Sequence, residues 1–269
     1  MDKTLPDTRA AEAYEKFLVP TLNARLAEEA VRTAALEPGE RILDVACGTG
    51  IVARIAAQKL SPGGSVAGLD SDPAMLAVAA SLVSNFDDGV RYDWHCASAQ
   101  KMPFGDAGFD AVICVQGLQY FPDCLAALHE IRRIMKRDGR FVAVVWSALE
   151  ECKGQLALSR ALRRRDIDVA SITKAYSMGD PDRIRLLLGA SGFGNVETRP
   201  GTTASHFPSA GHFIDAMAAG SLSSRAAIAK VPEQDRTAFH EEVERELAQY
   251  KGRDGVALPL GYLILKAYA

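Results

Sequence analysis

The stretch Arg41-Ile42-Leu43-Asp44-Val45-Ala46-Cys47-Gly48-Thr49-Gly50 decides the fold. It reads as a buried strand, with the acidic Asp44 near its end. The strand runs into a loop of residues with little or no side chain, and then into a helix. Such a loop lets the backbone lie directly against a ligand. Strand, small-residue loop and helix together form the nucleotide-binding corner of a doubly wound α/β fold.

The details choose the nucleotide. A dinucleotide site wants G-x-G-x-x-G, with pyrophosphate on the helix N-terminus. Here the pattern is Asp44-x-Ala46-x-Gly48-x-Gly50, and the residue three after Gly50 is Ala53, which only the looser form of that motif admits. Asp44 would face a pyrophosphate as one anion faces another. It suits a ligand with a cationic head, such as S-adenosylmethionine, which has an ammonium, a sulfonium and no phosphate. At these residues the chain resembles the class I S-adenosylmethionine-dependent methyltransferases, whose first motif has the form D/E-x-G-x-G-x-G. Ala46 stands where that family has its first glycine.

Further motifs extend the resemblance over roughly residues 40 to 147. Ser65 to Asp70 reads as a second strand ending in an acid, placed to accept both ribose hydroxyls. NAD enzymes use the same device, so Asp70 alone does not discriminate. Ser71-Asp72-Pro73-Ala74-Met75-Leu76 opens a helix with Pro73 in its first turn, and the resemblance puts Met75 against the adenine. Ala97 to Phe104 is close to the family's G-D-A-E-x-L-P-F. Ser98 occupies the position of the acid that contacts the adenine amino group, and Gln100 that of the following glutamate. Adenine is then left to Ser98 or the Ala99 backbone. The implied cofactor site comprises Asp44, Ala46, Cys47, Gly48, Thr49, Gly50, Asp70, Ser71, Met75, Ser98, Ala99, Gln100 and Gln116.

Phe109 to Gln116 reads as a fourth strand, followed by a cleft loop holding Gln119 and Tyr120. Leu128 to Arg140 reads as an amphipathic helix and a turn at Asp138-Gly139. Phe141 to Trp146 reads as a fifth strand. Asp180-Pro181 looks like a helix start, and sixth and seventh strands are expected near Gly192–Glu197 and Leu258–Ala267. The fold class is therefore α/β: a doubly wound, mostly parallel seven-stranded sheet with an antiparallel last strand, an N-terminal helical lid and a helical cap insertion. Expected units are the lid at 1–36, a Rossmann-like core at 37–200, the cap at 201–257 and the final core strand at 258–269.

Composition fits a soluble enzyme. The 269 residues are 48% hydrophobic and 24% charged, with a net charge of −3. Nothing marks a nucleic-acid footprint, and Arg163-Arg164-Arg165 reads as a solvated helix face. No apolar run spans a membrane, and Met1 to Pro6 lacks the apolar core of a signal peptide. Five cysteines without a C-x-x-C pair imply buried thiols and a cytoplasmic setting. No cluster of metal-ligand spacing appears. A homodimer is left open.

The lid and cap are where a methyl acceptor is expected. Tyr14 and Phe17 form an aromatic pair at i, i+3, similar to lid residues of related enzymes, or simply packed on the sheet. About fifty residues separate the last two strands, and connections of that length usually have a job. A cap over the acceptor would use Phe213 and Met217, with Gln119 and Tyr120 from the cleft loop. Methyl transfer to carbon or oxygen needs a proton removed. Of five histidines, His206 and then His212 are the expected bases, while His95, His129 and His240 read as core, outer-helix and solvated residues.

Three functions follow. The first is methyl transfer from S-adenosylmethionine to a small, partly apolar acceptor (quinone, polyketide, aromatic or isoprenoid), similar to the ubiquinone/menaquinone-biosynthesis type. The second is an NAD-dependent oxidoreductase, disfavoured by Asp44 and the missing glycine. The third is a cofactor-binding module without turnover.

Overall fold

A computed structural model describes residues 6–269. Met1–Leu5, the start of the expected lid and of the stretch read for a leader, lies outside them. The described strands are β1 (Arg41–Val45), β2 (Ser65–Asp70), β3 (Arg91–Cys96), β4 (Phe109–Val115), β5 (Met135–Trp146), β6 (Gly194–Phe207), β7 (Lys251–Gly252) and β8 (Gly255–Tyr268). The helices are α1 (Arg9–Ala13), α2 (Ala24–Ala34), α3 (Ile51–Leu60), α4 (Pro73–Val83), α5 (Cys124–Ile134), α6 (Lys153–Arg163), α7 (Ala170–Ala175), α8 (Pro181–Ala190), α9 (Ala210–Gly220), α10 (Arg225–Ile228) and α11 (Arg236–Leu247). A π-helical segment, Tyr14–Asn23, joins α1 to α2.

The sheet has the order β3-β2-β1-β4-β5-β8-β6, with the short β7 paired to β8. β3, β2, β1, β4 and β5 are parallel, and β8 inserts antiparallel between β5 and β6. The expected doubly wound sheet with an antiparallel last strand is the observed one. Alternation along the strands makes two cores. Ile42, Ile113, Val142 and Val144 face α2 and α3 on one side. Leu43, Val45, Val112, Phe141 and Val145 face α5 and α8 on the other. Burial on both faces explains why these strands read as continuous apolar runs.

Local chemistry fixes the helix starts. Asp72 accepts from Ala74 N at the head of α4, Asp123 from Ala126 N at α5, and Asp180 from Asp182 N at α8. Pro73 and Pro181 follow their caps at the first helical position, where a missing N–H costs nothing.

The largest departure from expectation lies at β6. That strand runs through the boundary expected at residue 200 and continues to Phe207. Its partner β8 starts at Gly255. The β5 ladder ends at Trp146 opposite Tyr262, whereas β6 stays paired with β8 to Phe207 opposite Val256. A two-stranded ribbon therefore projects beyond the carboxyl edge of the sheet, and α9 to α11 are carried on it. Pro259 is tolerated because that half of β8 has no β5 neighbour, and Pro200 because β6 is a sheet edge. The Arg163–Arg165 run is not a bare solvated face: Arg164 and Arg165 both pair with Glu242 of α11, as Arg160 pairs with Glu246.

Candidate active site

In open α/β sheets ligands sit outside the carboxyl ends of the strands. A cavity of about 490 Å³ lies there, within the usual size range for small-molecule sites. Its floor is formed by the ends of β1, β2, β4 and β5, at Ala46, Leu69, Asp70, Val115, Gln116 and Trp146. Its roof comes from the π-helical segment and from the cap.

One half of the cavity is the glycine-loop side. Ala46, Gly48, Asp70, Ser71, Met75, Ser98, Ala99, Gln100 and Gln116 from the expected cofactor set all line it, joined by Asp72. Asp70 is fixed by two backbone donors: Gly48 N donates to Oδ2 at 2.8 Å and Asp72 N to Oδ1 at 2.9 Å. Burial raises its pKa, the Asp72 and Gly48 amides oppose that, and the Asp72 charge adds to it. Ser98 Oγ accepts from Gln100 N and so holds its own turn.

The remaining members of the expected set lie behind the wall. Asp44 is 1% exposed, and one of its oxygens has no partner among the described residues. Burial pushes its carboxyl well above the usual range, opposed by the Ala53 amide. Cys47 is buried, and burial raises its thiol as well. Gly50 caps α3 in the left-handed region at φ 79°, and a Cβ there would lie 2.8 Å from the Trp94 ring. Thr49 Oγ1 donates to Glu15 Oε2 at 2.5 Å. Ala46 (φ 56°) and Gln116 (φ 60°) hold left-handed conformations without being glycine. Each costs about 1 kcal/mol, and such strain clusters at ligand sites.

The other half is an aromatic and amide chamber: Tyr14, Leu18, Leu22, Asn23, Tyr120, Phe121, Trp146, Gln155, Tyr176, Met217 and Ser221 to Ser223. Tyr14 lies over Gly48, and Asn23 Nδ2 donates to its hydroxyl at 2.9 Å. The Trp146 and Tyr176 rings are stacked with centroids 6.3 Å apart. Burial pushes the hydroxyls of Tyr14, Tyr120 and Tyr176 upward, with Ser223 partly offsetting this at Tyr120. All three stay protonated at neutral pH.

The lid is latched. Arg54 of α3 donates to Glu15 Oε1 at 2.7 Å and to Thr49 O at 2.6 Å, so Glu15 ties the π-helical segment to the glycine loop. The end of α9 meets the π-helical segment at Gly220, where a Cβ would lie 2.9 Å from the Tyr14 backbone. Only glycine allows that approach.

Several expected site residues are elsewhere. His206 is exposed on β6, and His212 is exposed on α9, with its ring against the capping Ser209. Neither lines the cavity, because the ribbon and the first turn of α9 turn them to solvent. Phe17 is 38% exposed, beneath Lys16. In an α-helix i and i+3 share a face, but the wider π turn puts Leu18 and Leu22 in line with Tyr14 instead. Phe213 is fully buried against Phe207, in the core of the cap. Gln119 is buried and reaches the site only through Gln116, donating to its Oε1 at 2.6 Å. Tyr120 and Met217 do line the chamber.

Trp146, Gln155, Tyr176, Leu18 and Asn23 were not anticipated. Trp146 had a readable signal as the last residue of a strand pointing at the carboxyl edge. The others reach the cavity through tertiary placement alone.

Comparison with known proteins agrees with this geometry. Residues 42–139 match the family model described as a methyltransferase domain. The chain is 34% identical over 111 residues to the 2-phytyl-1,4-naphtoquinone methyltransferase of Synechococcus elongatus, covering 41% of this chain and 48% of that protein. It is 39% identical over 103 residues to the demethylmenaquinone methyltransferase of Thermotoga maritima, covering 38% of this chain and 42% of the relative. The chain thus spans about half the length of the curated relatives it matches. Among solved structures, the YcgJ protein of Bacillus subtilis has a TM-score of 0.59 at 16% identity, covering 91% of this chain and 98% of its own. Phosphoethanolamine N-methyltransferase 2 of Haemonchus contortus, solved with S-adenosylhomocysteine, has a TM-score of 0.60 at 20% identity, covering 99% and 58%. Residues 42–139 thus match a methyltransferase domain, and the chain shares the fold of these solved proteins.

Proposed function

We propose that the chain transfers a methyl group from S-adenosylmethionine to the carbon or oxygen of a small, neutral, partly apolar acceptor. One observation carries this reading. A single cavity joins the glycine loop to an aromatic chamber, and among its described lining residues stand two carboxylates, Asp70 and Asp72, and no lysine, arginine or histidine. That charge suits an ammonium and a sulfonium, and offers nothing to the pyrophosphate of a dinucleotide.

The residues fit the cofactor. Asp70 has lone pairs left on both oxygens for ribose hydroxyls. Met75 and Leu69 give apolar surface to the adenine. Gln116 lines the cavity, and its buried Nε2 has no partner among the described residues, a donor suited to the cofactor carboxylate. S-adenosylmethionine supplies a methyl group already activated on sulfur, so the protein needs little new charge stabilisation. Its contribution is alignment and exclusion of water. The latch at Glu15 and the lid–cap contact at Gly220 provide the closure.

No histidine reaches the chamber, and its tyrosines hold their protons too firmly to act as bases. The acceptor must therefore bring its own nucleophilicity, as a phenol, hydroquinone or enol does when it ionises. This favours quinone-type, polyketide and aromatic acceptors over isoprenoids, and the names of the curated relatives point to quinone rings.

Calorimetric titration with S-adenosylmethionine, S-adenosylhomocysteine and NAD tests the reading. Binding of the first two and not the third is expected. Binding of NAD alone would make the chain a dehydrogenase.

A further inference from the structure

The chamber contains one polar group that nothing in the cofactor reading uses. Gln155 lies in the first turn of α6, is 3% exposed and lines the cavity. Its Oε1 is buried and has no partner among the described residues. An unpaired buried carbonyl loses its hydration without return, typically at a cost of about 1–3 kcal/mol. Such a group persists at a ligand site when the ligand completes it.

Its surroundings define what would complete it. Trp146 and Tyr176 form a flat stacked wall, and both line the same cavity. No cation lines the chamber among the described residues, so a carboxylate or phosphate on the acceptor would be buried unpaired.

We infer that Gln155 is the specificity residue of the acceptor site: its Oε1 accepts a hydrogen bond from a hydroxyl on a neutral, planar aromatic acceptor packed against Trp146 and Tyr176. The inference rests on the methyl-transfer reading for the identity of the two half-sites. It adds that a ring hydroxyl, rather than apolar area alone, selects the acceptor.

The test uses full-length protein saturated with S-adenosylhomocysteine, with tryptophan fluorescence reporting ring binding. The probes are 1-naphthol, 1-methoxynaphthalene and 1-naphthoate. The wild type should bind 1-naphthol about tenfold more tightly than the methyl ether, a preference typical of one buried hydrogen bond, and should bind 1-naphthoate most weakly. Gln155→Leu should bind naphthol and its ether alike, with S-adenosylhomocysteine affinity unchanged. That unchanged affinity separates loss of the bond from loss of the fold. Equal binding of naphthol and ether by the wild type, retained discrimination in Gln155→Leu, or tight naphthoate binding would each overturn the inference. Failure to bind S-adenosylhomocysteine at all would instead overturn the methyl-transfer reading.

Discussion

At the scale of single residues, the site is organised by groups under electrostatic tension. Asp44 is the clearest. The strand motif puts an acid there, but the fold seats it behind the loop with one oxygen unpaired. Because burial raises its folded-state pKa, the folded protein holds that proton longer than the unfolded chain. The stability this gives is complete below the unfolded value near 4 and is lost as pH rises toward the folded value. An asparagine carries no charge at any pH. Asp44→Asn should therefore gain stability relative to the wild type as pH rises above 4. Denaturant titrations across that range check it, and parallel stability curves would show that Asp44 is not desolvated. Gln116 and Ala46 belong to the same picture, since both accept left-handed backbone to shape the wall that meets the ligand.

At the scale of elements, closure of the site depends on one ion pair and one helix geometry. The π-helical winding lines up Tyr14, Leu18 and Leu22 over the cavity, and Glu15 fastens the segment to Arg54 and Thr49. Both partners of that ion pair are largely shielded, at 15% and 23% side-chain exposure, so it is stronger than an open surface pair. Glu15→Gln leaves Arg54 without its counter-charge, at a cost of about 1–3 kcal/mol. Amide exchange over residues 9–23 should rise roughly tenfold while the sheet amides keep their protection. Unchanged protection in that segment would mean packing against α9 holds the lid without the latch.

At the scale of the whole molecule, burial sorts the cysteines. Cys47, Cys114 and Cys152 are buried, Cys124 is half-buried and Cys96 is exposed. Burial pushes the Cys152 thiol up to about 12 and the Cys114 thiol higher still. Maleimide at pH 8 should therefore label Cys96 quickly, Cys124 slowly and the other three only on unfolding, as peptide mapping by mass can follow. Rapid labelling of Cys47 or Cys114 would mean the floor beneath the glycine loop opens in the native state. Among the described residues, no helix is long and apolar enough to cross a membrane.

The sequence by itself determined the parallel core and the glycine-loop half of the site. Both follow from rules that act over a few residues: apolar runs for strands buried on two faces, small residues at a strand–helix turn, and aspartate–proline at helix starts. Asp70, Gly48, Met75 and Gln116 all line the cavity where those local rules place them. Tertiary structure alone decided the aromatic half of the cavity. His206 lies on the projecting ribbon and His212 in the first turn of α9, and both are turned to solvent. Phe17 matches an α-helical face that the π winding abolishes, and Phe213 is consumed by the core of the cap. Trp146 at the end of β5, Gln155 in α6 and Tyr176 just after α7 sit on three separate elements and meet only in the folded protein. No local pattern encodes that meeting, since it is set by which apolar faces the helices must bury against one another.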